Sequence, residues 1–324
     1  MLAQCAPRVA SGGKFPLLDS YLHIINKEEK EETSMKVTEI FEKKKETGKP
    51  VLSFEIFPPK KEEALKNIDA TLERLCDLHP DFVSVTFGAG GSAVDNQTVE
   101  LAKKIKGRYG VEPIVHLTCL HYGKEEIRTI LDQLKENGIE NVLALRGDIN
   151  PNVPVKHDFK YANELAAYIR EYGGFHISGA CYPEVHLEAP DAVTDIRNLK
   201  RKVDAGVTHL VSQLFFDNGV FYNFYEKTRI AGIDVPVEAG IMPVTNKAQI
   251  ERMVNICGAK LPKKFERILQ KYENNKEALF DAGMAYAVNQ IVDLIANDVD
   301  GIHIFTMNNP RVAGRICDGI RNLI

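Results

Sequence analysis

Several features are scarce or missing in this chain of 324 residues, and each absence excludes a class of protein. No apolar run approaches the roughly 18 residues that a membrane-spanning helix needs. The N-terminus lacks the apolar centre and small-residue cleavage site of a secretory signal, so a cytoplasmic protein is expected. Lys and Arg total 41 against 45 Asp and Glu, a net charge of -4, and nothing in that balance attracts a nucleic-acid backbone. The six cysteines (Cys5, Cys76, Cys119, Cys181, Cys257 and Cys317) form no C-x-x-C pair and have no clustered histidines, so no metal site is expected and they read as reduced thiols. Cys119 and Cys181 end apolar runs, where a small buried hydrophobe is favoured over a nucleophile. No G-x-G-x-x-G opens a helix, which speaks against a Rossmann nicotinamide site. What is present, 44% hydrophobic and 27% charged residues, is ordinary for a globular protein and excludes a mostly disordered, collagen-like or fibrous one. The length suits two ordinary domains or one large barrel.

Residues 1–34 end in a charge run, Lys27 to Thr33, and sustain no amphipathic period, so a loosely ordered extension is expected there. Met35 opens a better patterned stretch and is an alternative start of the chain. Val37, Ile40 and Phe41 share one helical face before Gly48 and Pro50 end it. Residues 35–324 then alternate short β-type runs with longer helical ones. The runs are Val51–Phe57, Phe82–Phe87, Pro113–Cys119, Asn141–Gly147, His176–Tyr182, His209–Phe216, Val235–Met242 and Gly301–Met307. Helical periodicity follows, as in Glu62–Leu78, Glu125–Asn137, Ala189–Ala205 and Arg311–Leu323, with extra helices expected over Lys263–Tyr272 and Asn275–Asn297. Near-continuous apolar strands joined by helical crossovers mean a parallel sheet covered by helices. Eight such units predict a single α/β domain, a closed (β/α)8 TIM barrel, with an open doubly wound sheet as the alternative.

A (β/α)8 barrel carries its active site at the carboxyl ends of the strands. The polar residues collected there are Glu55, Thr86, His116, Arg146-Gly147-Asp148, Tyr182 with His186 just beyond, Gln213, and Asn308-Asn309. Polar groups inside otherwise apolar strands are costly unless paired or put to use.

These strand ends resemble the methylenetetrahydrofolate reductase family, the flavin enzymes of one-carbon metabolism and methionine biosynthesis. The matching segments are FEIFPPK (54–60), FVSVTFGAGGS (82–92), HLTC (116–119), NVLALRGD (141–148), CYPEVHLEAP (181–190), NLKRKVDAG (198–206) and QLFFD (213–217), in the family's order. RGD or HLTC alone would be weak; the ordered set is specific. The chain stops where the barrel closes and so resembles the short bacterial form.

The resemblance implies FAD as cofactor and reduction of 5,10-methylenetetrahydrofolate to 5-methyltetrahydrofolate, hydride passing from the flavin to the methylene carbon. That reaction needs an acid to protonate N10 and open the five-membered ring. Glu55 is the candidate, and its neighbours Phe54, Ile56 and Phe57 suggest an apolar setting that raises a carboxyl pKa. A strand carboxylate paired to Lys or Arg is the structural alternative. Asp148 is implied close to flavin and pterin, where its charge tunes the isoalloxazine; the alternative is a turn closed by a local ion pair. Flavin contacts are implied for Thr86, Phe87, Ala89, His116, Arg146, Gly147, Asp148, Tyr161, Ala162, Tyr182, His186, Asp195, Asn198, Arg201 and Lys202. Tyr182 and His186 offer rings, and Arg201 or Lys202 offers charge to a pyrophosphate. Asp195, Asn198 and Lys202 recur at helical spacing, which a solvated helix face would also show. Gly88, Gly90 and Gly91 read as a tight turn rather than a phosphate cradle. Gln213 resembles the family's folate-reading glutamine and Gln249 a second, weaker one; Glu55 also belongs to this substrate-binding set.

Two positions depart from the family pattern. Met253 stands where many members carry an aromatic residue, and Asn309 where they carry Arg after a Leu-Asn pair. Asn cannot bring a guanidinium's charge to a folate carboxylate, and Arg311 is the candidate to compensate. The electron donor is therefore left as NAD(P)H or a reduced protein partner, and a homo-oligomer or a partner subunit enters as a possible assembly. Two other readings stand beside the reductase: a folate barrel that transfers a one-carbon group without flavin, and a scaffolding or electron-relay subunit of a larger complex.

Overall fold

The structure, a computed structural model, describes residues 35–59, 62–87 and 93–324. The extension expected over residues 1–34 and the loop containing Gly88, Ala89, Gly90 and Gly91 lie outside the described residues. A first helix, α1 (Val37–Thr47), precedes a strictly alternating run: β1 (Val51–Ile56), α2 (Glu62–Cys76), β2 (Phe82–Val85), α3 (Ala93–Tyr109), β3 (Glu112–Thr118), α4 (Lys124–Glu136), β4 (Asn141–Leu145), α5 (Ala162–Tyr172). It continues with β5 (His176–Cys181), α6 (Ala192–Asp204), β6 (His209–Ser212), α7 (Asn218–Ile230), β7 (Val237–Ile241), α8 (Lys247–Cys257), α9 (Lys263–Tyr272), α10 (Lys276–Ala296), β8 (Gly301–Phe305) and α11 (Pro310–Ile320). The eight strands are parallel and close into a barrel in chain order, β8 pairing with β1 through Glu55 opposite Phe305. The (β/α)8 expectation holds, and the extra helices before β8 fall where their periodicity places them. Among the described residues no helix is long and apolar enough to cross a membrane.

The strands are less uniformly apolar than their sequences suggest, because alternate residues serve opposite faces. Leu52, Phe54 and Ile56 of β1, Val83 and Val85 of β2, Val115 and Leu117 of β3, and Ile302 and Ile304 of β8 are buried against the helices in the main core. The residues between them, Ser53, Ser84, His116 and His303, are equally buried and polar. They face inward, together with His176, Ser178, His209 and Glu238 from β5 to β7.

Helix α1 closes the amino end of the barrel. Its apolar face, Val37, Ile40 and Phe41, packs with Val51, Phe82, Ile114, Leu143 and Val211 in a separate buried cluster. Asn141, the first residue of β4, accepts from Val37 N at 3.0 Å and donates to Met35 O at 3.2 Å, tying the start of the helix to the strand. Gly48 ends it with φ of 67°, a conformation that costs glycine nothing. A third cluster, built on Leu214, Phe216, Met242, Val244, Phe265 and Leu279, supports the loops after β6 and β7.

Candidate active site

One cavity of about 450 Å³ opens among the carboxyl ends of the strands. Every strand contributes to its wall: Glu55 from β1, Thr86 and Phe87 after β2, His116 and Thr118 from β3, and Arg146, Gly147 and Asp148 after β4. Tyr182 and His186 follow β5, Gln213 follows β6, Met242 follows β7, and Phe305 and Met307 close the ring from β8. Ten of the expected site residues therefore meet in one place: Glu55, Thr86, Phe87, His116, Arg146, Gly147, Asp148, Tyr182, His186 and Gln213. Convergence of polar groups on a pocket of this size at the top of a barrel is the usual form of a ligand site.

The end of β1 around Glu55 is held by the segment after β8. Thr306 Oγ1 donates to the Glu55 carbonyl at 2.7 Å, and the Asn308 side chain clamps the backbone of Phe57, accepting from its N at 3.0 Å and donating to its O at 2.7 Å. The Glu55 carboxylate does not sit in the apolar setting that its sequence neighbours suggest, because Phe54 and Ile56 point outward to the helices. It faces two buried histidines instead, with His116 Nε2 at 3.7 Å and His303 Nε2 at 3.8 Å from Oε2. Burial pushes the Glu55 carboxyl up, but the polar approach of His303 and the charges of His116 and His303 together bring it below its ordinary value. His116 is itself pushed down to about 4, chiefly by burial, so it is neutral near pH 7. Neither Nε2 atom has a hydrogen-bond partner among the described residues. Behind them Ser53 Oγ lies 2.7 Å from His303 Nδ1.

The segment after β4 turns on Gly147, whose φ is 85° and where a Cβ would come within 3.0 Å of Thr118 Cβ. Only glycine combines that backbone with that clearance. His121 pins the same segment, its Nε2 3.0 Å from Asp148 O and its Nδ1 3.1 Å from Pro154 O. Arg146 makes a bidentate pair with Glu188, at 2.5 and 2.7 Å. After β5, the neighbouring strand, the Tyr182 and His186 rings meet edge to face at 4.5 Å. Burial and the nearby Asp148 charge lift the Tyr182 hydroxyl to about 12, so it stays protonated and able to donate. His186 Nδ1 accepts from Glu188 N, and Asp195 of α6 accepts from His186 N at 3.1 Å. Gln213 Oε1 accepts from Leu214 N at 2.9 Å, which fixes the orientation of its amide.

The remaining expected residues that the structure describes lie outside this wall. Tyr161 is the exposed N-cap of α5 and Ala162 its buried first residue. Asn198 accepts from Arg201 on the surface of α6, while the Lys202 ammonium is buried against Ala180 O at 2.7 Å. Gln249 lies in the first turn of α8, bonded through its N to the Asn246 cap, and the cavity meets that helix one turn later at Met253. Ala89 lies outside the described residues. Asn309 caps α11 by accepting from Arg311 N, and the Arg311 side chain is held by Glu277 at 2.9 Å over the Phe280 ring. Arg311 thus does not replace the missing guanidinium at the cavity. Cys119 and Cys181 are buried thiols pushed up by burial, Cys119 to about 12, and neither is poised as a nucleophile.

Sequence reasoning missed the inward-facing polar residues below the strand ends, Ser53, Glu238 and His303 above all. Their signal was the polar residue two positions before the expected one, as Ser53 precedes Glu55, which places both on one strand face. It also missed His121, Tyr122 and Cys257, which complete the wall from loops and a helix end.

Comparison with known proteins agrees with this geometry. The family model for methylenetetrahydrofolate reductase matches residues 40–321. The chain is 36% identical over 270 residues to 5,10-methylenetetrahydrofolate reductase of Pectobacterium carotovorum, covering 83% of this chain and 90% of that one. It is 37% identical over 294 residues to methylenetetrahydrofolate reductase (NADH) 1 of Arabidopsis thaliana, covering 86% of this chain and half of that longer protein. Among solved structures, an uncharacterized Clostridium thermocellum protein that binds two copies of 5-methyl-5,6,7,8-tetrahydrofolic acid shares the fold, with a TM-score of 0.60 at 13% identity over 87% of this chain and 99% of that one. A match across nearly the whole described barrel, with the family's motifs gathered around one cavity, means that the chain belongs to the methylenetetrahydrofolate reductase family of oxidoreductases.

Proposed function

We propose that this chain reduces 5,10-methylenetetrahydrofolate to 5-methyltetrahydrofolate with FAD as its resident cofactor. The observation that carries the reading is the meeting of Glu55, two buried histidines, Arg146-Gly147-Asp148 and Gln213 around one cavity in a member of this family. The residues suit a flavin: the cavity size is that of a cofactor pocket, Tyr182 and His186 offer ring edges, and the buried His116 Nε2 is unpaired among the described residues. Thr86, His116, Arg146, Gly147, Asp148, Tyr182 and His186 would hold it, and when bound it supplies the hydride.

The chain's own groups do the rest. Glu55, in its acid form, gives its proton to N10 of the folate, which opens the five-membered ring and leaves the methylene carbon as a 5-iminium electrophile. Gln213, with one end of its amide fixed by Leu214, reads donor and acceptor groups on the pterin edge. Asp148, steadied through its backbone by His121, places a negative charge beside the reacting rings. Phe87, Met242, Met253 and Phe305 supply apolar wall that keeps water from the iminium carbon.

The test is anaerobic. The purified chain, or the chain reconstituted with FAD, is reduced, mixed with methylenetetrahydrofolate, and followed for flavin reoxidation and 5-methyl product. A colourless protein that cannot be reconstituted, or a reduced flavin that the folate does not reoxidise, overturns the proposal. NADH, NADPH and a low-potential protein donor are compared as reductants. A protein donor is the second reading, favoured by the absence of a cation from β8 at the cavity, since Asn309 caps a helix and Arg311 is bound elsewhere.

A further inference from the structure

Below the cavity the barrel interior holds a second carboxylate, Glu238 on β7, with no exposed surface. It stands opposite Gly301 of β8, where a Cβ would come within 2.8 Å of Glu238 Cγ, so the side chain occupies space that only a glycine at 301 leaves open. Ser53 Oγ donates to its Oε1 at 2.7 Å, and His209 Nε2 lies 3.2 Å from its Oε2. We propose that Glu238 is a positioning residue for the acid: through Ser53 it sets the tautomer of His303, so that a lone pair rather than an N–H faces Glu55 and the transferable proton stays on the Glu55 carboxyl. The inference rests on the reading of Glu55 as the proton donor.

An ionised carboxylate only accepts. Ser53 has one hydroxyl proton, and with that proton committed to Glu238 its oxygen can only accept from His303 Nδ1, 2.7 Å away. A neutral His303 protonated on Nδ1 has a lone pair on Nε2, the atom that faces Glu55 Oε2 at 3.8 Å. A lone pair gives nothing to a carboxylate and accepts from a carboxylic acid.

A second chain of polar groups reaches Glu238 from β5 and β6. Thr208 Oγ1 lies 3.1 Å from His176 Nδ1, His176 Nε2 lies 3.1 Å from Ser178 Oγ, and Ser178 Oγ lies 2.9 Å from His209 Nδ1. His209 Nε2 approaches Glu238 Oε2 to 3.2 Å without hydrogen-bond geometry, so the Ser53 arm is the one that sets the His303 tautomer.

The groups facing Glu55 are His116 from β3 and His303 from β8. Those that pull its carboxyl down do so as charged or donating histidines, yet His116 is neutral above about pH 4 and a His303 bonded in this direction carries no proton on Nε2. A second buried negative charge in the same network acts against ionisation of Glu55 as well.

The tautomer of His303 in the wild-type FAD-loaded chain is the direct test, read from 15N shifts of histidine-labelled protein and assigned with His303→Gln. The expected result is a proton on Nδ1, and a proton on Nε2 overturns the proposal. Glu238→Gln, which keeps the shape and removes the charge, supplies the kinetic test. The pH at which folate-driven flavin reoxidation is lost on the alkaline side should fall by about one unit, making the step roughly fivefold slower at the old midpoint and approaching about tenfold well above it. Donor-driven flavin reduction is the internal reference. A pH profile that does not move also overturns the proposal. The tautomer is decisive even where the variant fails to fold, and it distinguishes a wrong wiring from a wrong function: wild-type protein that does not reduce folate at all refutes the function, whereas the Nε2-protonated tautomer refutes the wiring.

Discussion

Replacing Glu55 by Gln keeps the length and shape of the side chain and removes its transferable proton. The structure sets the two expected magnitudes apart. The carboxylate makes no close hydrogen bond to its histidines, at 3.7 and 3.8 Å, and the strand end is held by backbone bonds from Thr306 and Asn308 that the substitution leaves in place. Stability should therefore change by less than about 1 kcal/mol, the range of a modest side-chain contact. The folate half-reaction should slow by roughly 10²- to 10⁴-fold, about 3–5 kcal/mol on the barrier, because hydride has no electrophile to attack until N10 is protonated. Flavin reduction by the donor should continue. Anaerobic stopped-flow separates the two half-reactions, and urea unfolding of both proteins measures the stability difference. Near wild-type reoxidation of the reduced variant by methylenetetrahydrofolate would refute the role, leaving Glu55 a packed strand carboxylate and making Asp148 or a bound water the next acid to test.

His116 predicts an acid weakness with a definite sign. Folded, it takes up a proton only near pH 4, whereas unfolded it does so near 6.5; the unfolded chain binds more protons between those values, so stability falls as pH drops through that window. The full penalty is on the order of 3 kcal/mol below pH 4, and denaturant midpoints of His116→Gln should show a shallower acid slope than wild type; parallel slopes would contradict this. Gly147→Ala forces a Cβ into a φ of 85° and to 3.0 Å from Thr118 Cβ, and should cost roughly 1–3 kcal/mol while weakening flavin retention. Unchanged unfolding midpoint and FAD affinity would show that the turn adapts. A chain starting at Met35 should fold, bind FAD and turn over folate, since the family match begins at residue 40; loss of flavin from that truncation would refute it.

The alternation of apolar runs with helical periods was enough to define a (β/α)8 barrel, because strand length, turn residues and the 3.6-residue period are local properties of the chain. Helix α1 and its glycine stop were legible for the same reason. So was the ring of polar residues after the strands, since closure of a barrel in chain order brings the ends of all eight strands to one face whatever lies between them. What each of those residues touches was not legible. Glu55 has apolar neighbours in sequence and histidine neighbours in space, because a strand turns adjacent side chains to opposite faces and brings in residues 61 positions away on β3 and 248 away on β8 (116 − 55 and 303 − 55). Arg311 is two residues from the expected position of a cation, yet the turn of α11 carries it over Phe280 and away from the cavity. Composition and periodicity thus determined the architecture and the location of the site. The protonation and partners of its groups were decided only by tertiary structure, since hydrogen bonds and buried charges depend on distances of a few ångströms between strands far apart in the chain.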